Sequence, residues 1–417
     1  MNYIVNGGKK LHGDITVSGS KNAVLPILAA SIVTKKKIVI HNCPRLSDVA
    51  STIKILQYIG CEVIYDKGTL AIDAENVSLR PVPKELMSAL RSSVIFLGAF
   101  IALSGEADIS YPGGCELGKR PIDIHIDILK EMGVDITEED GSIKCKSEKI
   151  KGGTYTLPFP SIGATENILL ASLRADGDVT IKNAANEPEI KELARFLIRA
   201  GAKIHGAGTS VITVSPCHEF ESCEFTVCSD RIEAATFMAC AAVTGSTINI
   251  KKAPVSDMKS VINAFSKMGC HVLCAKKEMT IISPNKLNPV DMLSTAPYPG
   301  FPTDAQPVVM AALLNSRGIS MMVENIFEKR FNHIPELRKL GAQINVFGNT
   351  VKIRGSIDDM HGGNVCAKDL RAGAAIITAA LGIEDKTVIT DTHHIIRGYE
   401  NIVPKLRGIG ADITTKK

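Results

Sequence analysis

LQYIGCEV occupies residues 56–63, and the chain contains five more versions of it. They are LKEMGVDI (129–136), LIRAGAKI (197–204), FSKMGCHV (265–272), LRKLGAQI (337–344) and LRGIGADI (406–413). The glycines Gly60, Gly133, Gly201, Gly269, Gly341 and Gly410 are separated by 73, 68, 68, 72 and 69 residues. Each glycine ends a helix-like run and precedes an alternating one. This pattern predicts a helix closed by a left-handed glycine at C′ and followed by a strand. Further upstream of each lies another strand-like run, from KKIVIHN (36–42) to KTVITDT (386–392).

A second helix recurs between these runs: SKNAVLPILAASIV (20–33), LRSSVIFLGAFIALSG (90–105), SIGATENILLASLRADG (161–177), SDRIEAATFMACAAVTG (229–245), PTDAQPVVMAALLNSRG (302–318) and DLRAGAAIITAALG (369–382). After its first turn each is apolar nearly all round, which predicts burial on every side. The chain therefore reads as six supersecondary units of about 70 residues, each strand, apolar helix, strand, amphipathic helix and paired strands. The N-terminal strand within 2–18 has no preceding partner and is expected to complete the last unit. The six units imply two domains of three. One is expected over 1–20 and 230–417, the other inserted over 21–229.

Bulk properties narrow the function. The 417 residues are 45% hydrophobic and 22% charged, as in globular proteins. A net charge of +4 and an aromatic content of 5% without Trp disfavour a nucleic-acid binder. The start, MNYIVNGGKKLHGDI, lacks the apolar run of a secretory leader, and VIFLGAFIAL (94–103) and AAIITAALGI (374–383) are about half the ~20 residues of a membrane span. Eleven scattered cysteines read as reduced thiols, so a cytoplasmic protein is expected. Cys217, His218, Cys223 and Cys228 lack the paired CxxC spacing of zinc sites.

The first turns of the apolar helices carry the chemistry. Ser161, Asp230 and Asp369 suit capping of free N–H groups. Lys21, Arg91, Arg231 and Arg371 do not, because a cation there opposes the helix dipole. Helix N-termini joined by cations make anion sites, and several such ends in one domain would line an anion-binding cleft. The competing reading folds these cations back onto nearby aspartates.

SGSKNAVLPIL (18–28), LRSSVIFLG (90–98), PGGCELGKRPIDIHI (112–126), SIGATEN (161–167), SDRIEAATF (229–237), PGFPTDAQ (299–306), ENIFEKRF (324–331), KDLRAGAAI (368–376) and HHIIRGYENI (393–402) together resemble the UDP-N-acetylglucosamine 1-carboxyvinyltransferases, a family of enolpyruvyl transferases. The resemblance runs end to end. It implies an α/β fold, a two-domain inside-out α/β barrel of six repeats, with the active site in the interdomain cleft. It implies transfer of enolpyruvyl from phosphoenolpyruvate to the 3′-hydroxyl of UDP-N-acetylglucosamine, with no metal or organic cofactor. The expected partners are those two small molecules, with no nucleic acid or membrane, and a monomeric or weakly oligomeric state.

Residue by residue, the resemblance assigns Lys21, Asn22, Arg120 and Arg397 to phosphoenolpyruvate. Arg suits planar oxyanions and Lys serves as a point charge. Arg91, Arg120, Pro121, Ile122, Asp123, Ser161, Gly163, Asp304 and Ile326 are assigned to the sugar nucleotide, and Arg231, Asp369 and Arg371 to the cleft. Asp304 matches the base and substrate-hydroxyl ligand; read by itself it is a helix cap, and the two roles are compatible. Cys115 matches a loop cysteine that donates a proton and forms a covalent adduct with phosphoenolpyruvate. Gly113 and Gly114 would let its loop close as a lid. Lys119 and Arg120 would draw the thiol below its ordinary range, partly countered by Glu116. A cysteine at this place implies inactivation by fosfomycin. Two departures stand out: Lys119 where the family commonly has a small residue, and Tyr298 where it commonly has His. The competing readings are a non-catalytic regulatory binder of the sugar nucleotide, a transferase acting on shikimate 3-phosphate, and an RNA-processing relative.

Overall fold

All six repeat glycines end a helix with positive φ, between 89° and 110°, in the computed structural model, which describes residues 1–113, 122–139 and 141–416. The first shows how the stop is made. Gly60 N–H donates to the Gln57 carbonyl at 3.1 Å and Cys61 N–H to that of Leu56 at 3.0 Å, a Schellman closure of the helix Ser47–Tyr58. Glycine is needed there because a Cβ opposes the left-handed conformation.

Two compact units result, one of residues 1–18 and 229–416, the other of 19–113 and 122–228. Each has its own apolar core. In the first unit the helices Arg231–Val243, Gln306–Leu313 and Leu370–Gly382 pack on one another. In the second the same is true of Lys21–Thr34, Phe96–Ser104 and Ile162–Ser172. These helices are apolar on all faces, and from Ala23 to Thr34 every residue is buried. The strands alternate, one face in and one out, as in Val179–Lys182 and Thr247–Lys251. The fold therefore keeps helices inside each unit and sheets outside.

Among the described residues there are five four-stranded sheets and one of three strands. In the sheet built on Val179–Lys182, Gly153–Thr156 runs parallel and Val211–Ser215 antiparallel. In the second repeat a short helix, Lys84–Ser88, stands in the sequence where the others carry that parallel strand.

The N-terminal stretch differs from the expected single strand. It forms two, broken at Gly7–Gly8, where Gly8 has φ 78°. Asn2–Asn6 lies between Lys386–Thr390 and Asp412–Lys416 and so completes the last repeat. His12–Thr16 instead runs parallel to Thr247–Lys251 in the fourth repeat. Reciprocally, Cys223–Thr226, which leads into the fourth repeat, pairs with Lys37–His41 of the first. Each of these two strands thus edges a sheet of a distant repeat within its own unit. No described helix is long and apolar enough to cross a membrane.

Candidate active site

Asp304 does not cap a helix. It sits in the turn before Gln306–Leu313, whose N-cap, Ala305, offers no side-chain bond. Its carboxylate instead lies between two guanidinium groups. Arg330 Nη2 meets Oδ1 at 2.7 Å and Arg371 Nη2 meets Oδ2 at 2.7 Å. The arginine side chains are 1% and 6% exposed, that of Asp304 26%. Arg371 is therefore one of the cations that folds back onto an aspartate. Burial, the largest single influence, lowers its pKa, but Asp304, Tyr399 and Asp230 together outweigh it and the net shift is upward.

The second arginine, Arg330, was not singled out from sequence, although it stands inside the quoted segment ENIFEKRF. Its Nε donates to Thr303 Oγ1 at 3.0 Å, and Thr303 donates to Glu324 Oε1 at 3.0 Å. The same Glu324 oxygen accepts the N–H groups of Ile326 (2.9 Å) and Phe327 (3.0 Å). The Ile326 backbone is thus held by the same carboxylate oxygen as Thr303, the residue before Asp304. Below Arg330, His333 is fully buried, and that burial pushes its pKa down to about 4. A carbonyl only accepts, so His333 Nδ1, 3.1 Å from the Arg330 carbonyl, carries the proton of a neutral ring.

Asp369 caps the helix Leu370–Gly382, its Oδ1 accepting from Arg371 N and Ala372 N at 2.8 Å each. Asp230 caps Arg231–Val243 in the same way. Arg231 lies 5.8 Å from the Tyr298 ring centre. Arg397 ends the 3-10 turn Thr392–Arg397, which packs on Leu370–Gly382.

In the second unit Ser20 caps Lys21–Thr34, its Oγ accepting from Ala23 N, and Asn22 follows Lys21 in the first turn. Lys21 Nζ meets Asp48 Oδ2 at 2.7 Å, with side chains 13% and 6% exposed. Arg91 opens a 3-10 turn, Arg91–Ile95, rather than the α-helix expected, and that helix starts only at Phe96. Ile122 is buried just before the helix Asp123–Glu131, whose first residue, Asp123, is exposed. Ser161 caps Ile162–Ser172.

A residue not named from sequence joins these pieces. Asn167 is fully buried; its Oδ1 accepts from Gly98 N at 2.7 Å, and its Nδ2 donates to the Val94 carbonyl at 3.0 Å and meets His125 Nδ1 at 2.8 Å. With the amide as donor, His125 Nδ1 accepts. The His125 ring lies against Gly163, where a Cβ would come within 2.9 Å of Cε1. One amide thus ties the segments of Arg91, Ile122–Asp123 and Ser161–Gly163. Asn167 and His125 both stand in quoted segments, SIGATEN and PIDIHI, but their pairing across 42 residues had no sequence signal.

Cys115, Arg120 and Pro121, with Gly114, Glu116 and Lys119, lie outside the described residues. Gly113 lies within them. A Cβ there would come within 1.9 Å of the Ser88 carbonyl, so its glycine answers a close approach.

Comparison with known proteins gives the family. Residues 5–406 match the model for EPSP synthase (3-phosphoshikimate 1-carboxyvinyltransferase). Over 411 residues the chain is 44% identical to UDP-N-acetylglucosamine 1-carboxyvinyltransferase 2 of Caldanaerobacter subterraneus subsp. tengcongensis, covering 99% of this chain and 98% of that one. It is 42% identical to UDP-N-acetylglucosamine 1-carboxyvinyltransferase of Lawsonia intracellularis, at 98% coverage of both. Among solved structures, the enolpyruvyl transferase NikO from Streptomyces tendae superposes with a TM-score of 0.88 at 24% identity, over 99% of this chain and 98% of that one. EPSP synthase from Acinetobacter baumannii gives 0.77 at 19% identity over the full length of both. The two-unit, six-repeat architecture is the two-domain fold of these enzymes, and the chain belongs to the EPSP synthase family of enolpyruvyl transferases, among the UDP-N-acetylglucosamine 1-carboxyvinyltransferases.

Proposed function

We propose that this chain transfers the enolpyruvyl group of phosphoenolpyruvate to the 3′-hydroxyl of UDP-N-acetylglucosamine and releases phosphate, the first committed step of peptidoglycan precursor synthesis. The observation that carries the reading is Asp304, a partly exposed carboxylate fixed on a turn between two buried arginines. Lys21, Asn22, Arg120 and Arg397 hold phosphoenolpyruvate. Arg91, Ile122, Asp123, Ser161, Gly163 and Ile326, with Arg120 and Pro121, hold the sugar nucleotide. Arg231, Asp369 and Arg371 complete the surroundings.

In the first step the sugar oxygen bonds to C2 of phosphoenolpyruvate, its proton passes to Asp304, and C3 gains a proton from Cys115. In the second, C3 gives a proton back to the Cys115 thiolate, the double bond re-forms and the C2–O bond to phosphate breaks, the phosphate leaving with the bonding pair and the proton held at Asp304. Positioned acid and base groups each contribute about 10²–10⁴ in rate. The cations stabilise the phosphate as it leaves. The enzyme works in the cytoplasm, as a monomer or weak oligomer, and is alkylated at Cys115 by fosfomycin.

The test is phosphate release from phosphoenolpyruvate with UDP-N-acetylglucosamine, for wild type and Cys115→Ser, with and without fosfomycin. Wild-type release, blocked by the drug and reduced at least about 100-fold on substitution, is expected. Sugar-nucleotide binding with no release would overturn the reading in favour of a regulatory binder, and release only with shikimate 3-phosphate in favour of the sister reaction.

A further inference from the structure

Arg371 has a second, buried contact, made by its other terminal nitrogen. Its Nη1 lies 3.3 Å from the Tyr399 hydroxyl, which lies 2.8 Å from Thr236 Oγ1, and Thr236 is 2.9 Å from the Ile232 carbonyl. Tyr399 is 2% exposed and Thr236 0%. The direction of this chain follows from counting protons. Guanidinium only donates and a carbonyl only accepts. The single Thr236 proton goes to Ile232, so Tyr399 donates to Thr236 and its oxygen accepts from Arg371. Burial raises the Tyr399 pKa, against a smaller pull from Arg371, which keeps the phenol protonated as the chain requires.

A guanidinium fixed by one partner still pivots about that contact; fixing both arms sets its plane. We infer that Tyr399 and Thr236 are positioning residues, which orient Arg371 through its Nη1 arm and thereby fix the carboxylate of Asp304. The chain ends on the first turn of Arg231–Val243, one residue from Arg231. The inference rests on the proposed reaction for its kinetic consequence, but its geometric consequence is independent of it.

The test uses full-length Tyr399→Phe, Thr236→Val, Thr236→Ser and, as a stability control, the core variant Ile389→Val. Steady-state kinetics with both substrates accompany thermal melts and crystal structures. Tyr399→Phe and Thr236→Val are expected to lower kcat about 5- to 20-fold, a hydrogen bond to a charged group being at stake. The KM for UDP-N-acetylglucosamine should stay within about twofold, since an interaction lost only in the transition state lowers kcat. Thr236→Ser keeps the hydroxyl and should restore wild-type kcat, and Ile389→Val should leave kcat unchanged at comparable melting temperature. The Tyr399→Phe crystal should show Arg371 rotated away from its wild-type plane. Wild-type kcat in Tyr399→Phe, or an equal loss in Thr236→Ser, would overturn the inference. Should the wild type show no turnover, the proposed reaction fails and the crystal decides alone: an unmoved Arg371 would still sink the positioning role.

Discussion

The two units solve the same problem with opposite charges. In one, a carboxylate, Asp304, is the central group and buried arginines hold it. In the other, an ammonium, Lys21, is the central group and a buried aspartate, Asp48, holds it. Their surroundings differ as well. The Asp304 unit also pairs the half-buried Lys405 with the buried Glu233 at 2.6 Å. The Lys21 unit relies on a neutral amide hub, Asn167, and its fully buried Glu166 is pushed well above the usual carboxylate range by burial and by Glu189 and Glu187. A buried ion pair costs desolvation and is weak evidence for stability. What such a pair does well is fix one orientation, and here the oriented groups are those assigned to the reaction.

The comparison breaks most visibly at Asp48. If Asp48 aims Lys21 at phosphoenolpyruvate, Asp48→Ala should raise the KM for phosphoenolpyruvate about 10- to 100-fold, a charge-assisted bond being worth roughly 1.5–3 kcal/mol. The KM for the sugar nucleotide should change much less. Equal changes in both constants would show that Asp48 serves the fold and not the cation. A smaller effect is expected at the amide hub. Asn167→Ala leaves the Gly98 N–H and the Val94 carbonyl without their side-chain partner, costing about 2 kcal/mol by chemical denaturation. It should raise the KM for UDP-N-acetylglucosamine about 5- to 10-fold, because an orienting bond is lost. A stability loss with an unchanged KM would detach Asn167 from the nucleotide.

The smallest effect is a pH signature within the Asp304 unit. Burial pushes the Glu233 carboxyl up to about 7 despite Lys405 and the Ser18 N–H. A raised carboxyl holds its proton more tightly when folded. Its contribution is complete below the unfolded value and is lost as pH rises toward 7. His333, lowered to about 4, behaves oppositely: its contribution is complete above the unfolded value of 6.5 and is lost as pH falls toward 4. Between about 4.5 and 6.5 the two slopes oppose. Relative to wild type, Glu233→Gln should melt progressively lower on acidification across this window, and His333→Gln progressively lower on alkalinisation, by about 2–4 °C for each kcal/mol. Parallel melting curves for all three proteins against pH would refute the assignment.

Some of this was readable in advance. The six Gly turns required no tertiary information, because a left-handed C′ residue and the change from helical to alternating period are local properties. The same holds for the six all-apolar helices, whose composition leaves burial as the only outcome. The caps Ser161, Asp230 and Asp369 were legible for the same reason. The residues behind the reactive groups were not. Arg330 reaches Asp304 across 26 residues, Arg371 reaches it across 67, and Thr236 reaches Tyr399 across 163.

The amino-acid order by itself thus determined the repeat, the helix ends and which residue types wait at each helix start, since these depend on neighbours within a turn or two. Only the tertiary structure decided which cation answers which aspartate, that Asp304 binds arginines instead of capping its helix, and that His12–Thr16 and Cys223–Thr226 each join the sheet of a distant repeat within their own unit. Those outcomes are set by burial, where a charge must find whatever partner the packed core brings within reach, and a strand edge must find whatever edge lies beside it.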